Sequence, residues 1–124
     1  MAVIRAADAV RHEMQGVRFT SFAAPSRGSA ELCAWRIDVP AGAPGLPHRV
    51  SREEVLCVLS GSVRAAVDGR AEVAAAGDVV VLPAGSVVSI GNPGAEPATA
   101  WVTTSAGFAG VLPDGTWFTP PWAS

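Results

Sequence analysis

Apolar and polar side chains alternate in short runs along this chain, and glycine or proline closes nearly every run. In residues 31–39, Cys33, Trp35, Ile37 and Val39 fall on one side of an extended backbone while Arg36 and Asp38 fall on the other. That period of two predicts a strand with one buried face, and Pro40 ends it. Similar apolar, β-branched runs predict strands over 17–22, 48–50, 54–59, 63–67, 71–75, 79–82, 86–90 and 99–104. Asp68-Gly69 lies between two of them and predicts a two-residue hairpin, because both positions tolerate positive φ. Pro83-Ala84-Gly85 and Asn92-Pro93-Gly94 mark further turns. Residues 6–14 mix charged and small side chains without an apolar stripe, and a helical turn or two is expected there. Many short strands at this spacing predict an all-β sandwich or barrel.

Composition narrows the picture. A chain of 124 residues, 49% of them apolar, has material for one core, so 1–124 is expected to be a single domain. Its nine basic residues are all Arg and are scattered, with a net charge of −2, which argues against a nucleic-acid partner. Arg5, Asp8, Arg11, His12 and Glu13 interrupt any apolar leader, and no apolar run approaches a membrane span. Cys33 and Cys57 sit in strand-like segments and read as small core residues rather than a disulfide framework. A cytoplasmic protein is the expectation. Residues 107–124 carry Phe108, Trp117, Phe118 and Trp122 and are too apolar for a free linker. They are expected to pack on the barrel or on a partner subunit.

Two spaced motifs carry the chemistry. In residues 42–61, Gly42, His48, Glu54 and Gly61 match the pattern G-x5-H-x-H-x3-E-x6-G. In residues 77–92, Gly77, Pro83, Gly85 and Asn92 match G-x5-P-x-G-x2-H-x3-N. With both motifs in register, the chain resembles the cupins, which implies a double-stranded β-helix, or jelly-roll barrel. The resemblance also implies a homodimer that buries one sheet and often the tail. In the family, three histidines and the glutamate converge on one divalent metal. Here the second histidine of the first motif is Val50 and that of the second is Val88, leaving His48 and Glu54 as the only candidate ligands. Two donors fall short of the three that open catalytic sites use, so no cofactor is expected. Glu53 falls on the opposite strand face and His12 lies in the N-terminal segment, so neither replaces a missing ligand.

Three roles remain open for His48 and Glu54. They could hydrogen-bond each other as a buried remnant. They could act as catalytic acid and base in a metal-independent isomerase, cyclase or lyase. They could orient a ligand in a non-catalytic binding or regulatory module. A metal-dependent oxygenase with an atypical site is a further alternative. Alternation places Val50, Leu56, Val58, Ser86, Val88 and Ile90 around the cavity, with Trp35 and Trp101 as candidates for the same wall. A small, largely apolar organic molecule is the expected partner. Arg36, Arg49, Arg52 and Arg64 are candidates for a carboxylate-binding rim, although strand arginines are usually solvated. Cys57, one residue from Leu56, is expected on the outer face.

Overall fold

Period-two alternation sorts the chain into two sheets. A computed structural model describes residues 1–124 and contains β1 (Val10–Met14), β2 (Val17–Ala23), β3 (Leu32–Val39), β4 (His48–Val50), β5 (Glu54–Ser60) and β6 (Ser62–Val67). There follow β7 (Arg70–Ala75), β8 (Val79–Leu82), β9 (Val87–Gly91), β10 (Ala98–Ser105), β11 (Gly110–Val111) and β12 (Trp117–Phe118). One six-stranded sheet has the order β1-β2-β3-β10-β5-β8 and the other β12-β11-β4-β9-β6-β7. Every pairing is antiparallel. The fold is therefore the expected all-β jelly roll, and no helix is long and apolar enough to cross a membrane.

Between the sheets lies the core. On β3, Cys33, Trp35, Ile37 and Val39 are buried, and across the ladder Ala98, Ala100 and Val102 of β10 continue the same inner face. The hairpin at Asp68-Gly69 forms as expected, with φ of 49° and 85° and Val67 paired to Arg70. Residues 6–14 differ from expectation. Only Ala6–Asp8 form a 3-10 turn, and Val10–Met14 form β1, paired in full with β2. Gln15 and Gly16, at φ of 54° and 78°, make the hairpin between them. Glutamine does not announce a left-handed turn, so the period of β1 went unread; pairing with β2 overrides its weak local preference.

The tail packs on its own barrel. Trp122 stacks on Phe19 with ring centroids 3.8 Å apart, and its carbonyl accepts a hydrogen bond from Ser21 Oγ at 2.8 Å. At its near end, β11 pairs with β4, and Ala109 N–H donates to Ser51 Oγ at 2.8 Å. Residues 109–122 thus form a strap pinned at both ends.

Candidate functional site

A cavity of about 330 Å³ opens between the sheets. Trp35, Ile37 and Val39 of β3, Leu56 of β5, Val88 and Ile90 of β9 and Val102 of β10 supply its apolar walls. The β1–β2 hairpin at Met14 and Gln15, the loop from Ala43 to Leu46 and the strap frame the rest. Of the 23 lining residues, 17 are hydrophobic, and the titratable ones are His48 and Glu54 alone. The acid–base chemistry available to an enclosed molecule therefore reduces to two groups.

His48 enters from β4, where alternation turns it and Val50 inward and Arg49 out to solvent. Its Nδ1 lies 2.9 Å from the Leu46 carbonyl oxygen. A carbonyl only accepts, so Nδ1 carries the proton and, in the neutral ring, Nε2 presents a lone pair. The loop that supplies this carbonyl is held against the end of β9. Asn92 N–H donates to Ala43 O at 2.8 Å, and Asn92 Nδ2 donates to Val39 O at 3.1 Å and Glu96 O at 2.8 Å. Gly91 is part of the same closure, since a Cβ there would lie 2.8 Å from Ala43 O. Gly91 and Asn92 are thus positioning residues: they seat the loop that fixes the imidazole tautomer.

Glu54 begins β5 and is 7% exposed. Burial pushes its carboxyl up to about 7, with no hydrogen bond or cation opposing the shift. The carboxyl therefore exchanges a proton near neutrality. No hydrogen bond or ion pair joins His48 to Glu54. The buried-remnant role thus loses its basis, because each group is left to face the cavity. The Trp35 indole Nε1 is also buried without an acceptor, an arrangement that costs about 1–3 kcal/mol.

The expected wall is only partly realised. Trp35, Leu56, Val88 and Ile90 line the cavity beside His48 and Glu54. Val50 and Val58 point inward but lie wholly within the packed core, Val58 opposite Ala100 in the ladder. Ser86 is likewise buried away from the cavity, with its Oγ donating to Pro83 O at 2.5 Å. Trp101 is a correction. It alternates with inward Ala100 and Val102, so it lies on the outer face, where its ring centroid is 5.2 Å from that of Phe22. No arginine lines the cavity. Arg36 pairs with Asp38 at 3.6 Å on the outer face, Arg49 donates to Gly85 O and Arg52 to Ser105 Oγ, while Arg64 is exposed. Cys57 is outward, as expected.

Sequence reasoning missed the contribution of Phe19, Phe108, Phe118 and Trp122 to the lining. The apolar tail signalled packing, but nothing in its spacing said that it would cross the cavity mouth. The donor set does not fit the divalent cation that the family resemblance implies. Val88 stands opposite His48 in the β4–β9 ladder, Val50 is inward on the same strand, and neither has a lone pair to give. No group of three or more His, Cys, Asp or Glu side chains is gathered elsewhere in the molecule.

Comparison with known proteins agrees with this architecture. No protein of curated function matches the sequence. Among solved structures, the polyketide cyclase RemF from Streptomyces resistomycificus is similar at 18% identity and a TM-score of 0.73, over 85% of this chain and 79% of that one. A sugar phosphate isomerase of the cupin superfamily from Silicibacter pomeroyi is similar at 14% identity and a TM-score of 0.71, over 98% and 95%. An ethanolamine utilization protein, EutQ, from Salmonella typhimurium is similar at 24% identity and a TM-score of 0.62, over 72% and 68%. At these identities the likeness is one of fold. Residues 35–119 match the cupin domain family, and with most of its length inside that match, the chain belongs to the cupins.

Proposed function

We propose that this cupin encloses a small, largely apolar organic molecule and moves a proton on it with His48 and Glu54, without a metal. One observation carries this: two titratable side chains, not bonded to each other, face a largely apolar cavity. His48 Nε2 accepts a proton from an acidic C–H or O–H of the ligand. Glu54, protonated below neutrality, gives one to the atom on which the released electron pair settles. The imidazolium and carboxylate that remain are reset by one proton passing from His48 to Glu54, so the reaction is redox-neutral. Isomerisation, cyclisation and elimination all fit this balance. Similar folds carry a polyketide cyclase and a sugar phosphate isomerase, which supports the class without fixing the reaction.

We further propose a homodimer in a reducing cytoplasm. Exposed Val55, Leu59, Val79 and Val81 form an apolar patch on the outer face of β5 and β8, and Cys33 and Cys57 are free thiols.

The test is to identify by native mass spectrometry what the purified protein retains, and then to measure turnover and affinity in His48→Ala and Glu54→Gln. Turnover is expected to fall by roughly 100-fold or more with affinity nearly unchanged, the scale of a lost acid or base. Affinity and output falling together would assign a binding module instead. One tightly held metal per chain, required for turnover, would overturn the metal-free chemistry.

A further inference from the structure

The cavity walls say more about the ligand, and this step rests on the function proposed above. The chain has four Trp and four Phe, and five of these eight residues, Phe19, Trp35, Phe108, Phe118 and Trp122, line the cavity between the sheets. Flat rings present broad, rigid apolar faces that suit another flat ring better than a flexible chain. Charge is handled just as unevenly. The chain has nine arginines and none lines the cavity, so no permanent cation there would neutralise a carboxylate or phosphate. An ammonium ligand is also poorly served. It would first have to draw the proton from Glu54, whose buried carboxyl favours the neutral form, and that cost comes off the ion pair it would gain. The neutral amide of Gln15 is the other polar side chain at the hairpin tip.

The hydrogen-bond pattern adds direction. With Nδ1 committed as a donor to Leu46 O, His48 offers the cavity an acceptor at Nε2. A ligand that satisfies it must bring an O–H or N–H. We infer that the cavity takes an uncharged, ring-bearing phenol or enol whose hydroxyl donates to His48 Nε2. An acidic hydroxyl at that point is also where a base would begin the proposed proton transfer.

The probes are 2-naphthol, its anionic analogue 2-naphthoate, the cationic 2-naphthylmethylammonium, the flexible alcohol 1-octanol and the hydroxyl-free 2-methylnaphthalene. Each is titrated into the full chain at pH 6.5 by isothermal calorimetry. 2-Naphthol is expected to bind at least tenfold tighter than either charged analogue and tighter than 1-octanol. His48→Phe keeps a ring and removes the acceptor. It is expected to weaken 2-naphthol about tenfold and leave 2-methylnaphthalene unchanged, which also reports that the variant is folded. Equal or tighter binding of a charged analogue overturns the uncharged class. Preference for 1-octanol overturns the ring class while leaving the cavity's role intact, and an unaltered 2-naphthol affinity in His48→Phe overturns the hydroxyl contact. If no probe binds, the small-molecule function itself fails.

Discussion

Val88 stands directly opposite His48 in the β4–β9 ladder, so the place where a second nitrogen donor would meet the imidazole is filled by an aliphatic side chain. Of the four positions that the family resemblance assigns to metal ligands, 50 and 88 carry valine while His48 and Glu54 remain. Restoring them in Val50→His/Val88→His is expected to create a site for zinc or nickel, with His48 and Glu54 as the remaining ligands. Calorimetric titration should show a metal affinity at least tenfold above that of the natural chain, a gain of about 1.4 kcal/mol or more. Equal affinities in the two proteins would mean that these positions do not converge.

Glu54 sets a pH signature on stability. Its carboxyl is pushed from 4.5 to about 7 by burial. Below pH 4.5 the folded and unfolded states both hold the proton and the burial penalty is absent. Between 4.5 and 7 the unfolded chain ionises first, so the native state loses stability as pH rises, and the loss is complete above 7. A shift of this size corresponds to about 3 kcal/mol. Urea unfolding at pH 4.5 and pH 8 is expected to show a decline of that order in the natural protein. Glu54→Gln lacks the titration and should be the more stable of the two at pH 8, with the difference shrinking in acid.

Most of the fold was legible because period-two alternation is a local signal. His48–Val50 begins and ends where its sequence says, and β3 buries the four residues assigned to it. The losses came where tertiary pairing decides. β1 has no pattern of its own and is a strand because β2 pairs with it across Gln15-Gly16. Site legibility followed the same division. His48, Glu54, Leu56 and Val88 came from motif register and alternation and do line the cavity. Trp101, a candidate for the wall, is one position of alternation from inward Val102 and so lies on the outer face. How deep the cavity runs decides against Val50 and Val58, and alternation carries no information about depth.

The outer face of β5 and β8 makes a prediction about assembly. Val55 lies opposite Val81, and Cys57 opposite Val79, so the exposed valines cluster rather than scatter. Edge strand β8 ends the sheet here, with no strand hydrogen-bonded on its far side. Sedimentation equilibrium is expected to give a dimer for the natural chain. Val79→Asp/Val81→Asp should shift it to monomer at micromolar concentration while leaving the far-ultraviolet spectrum of the fold in place. A natural chain that sediments as a monomer throughout that range would remove the dimer.

Gly91 offers the sharpest test of how the loop controls His48. A Cβ at this position would sit 2.8 Å from Ala43 O and 3.0 Å from Pro44 O, both backbone atoms that cannot rotate away. Gly91→Ala must therefore lift the loop from β9, at a cost on the order of 1–3 kcal/mol typical of overpacking. Lifting it moves the Leu46 carbonyl that accepts the Nδ1 proton, so the tautomer preference should weaken along with stability. Nitrogen-15 shifts of the His48 ring are expected to report a predominantly Nδ1-protonated form in the natural protein and a more even mixture in the variant. Exposed Gly115, at φ 87° with open space around its missing Cβ, is the control. Gly115→Ala strains a turn but should leave the His48 ring shifts where they were. If Gly91→Ala destabilises the protein yet leaves those shifts unmoved, the loop shapes the cavity without governing the base.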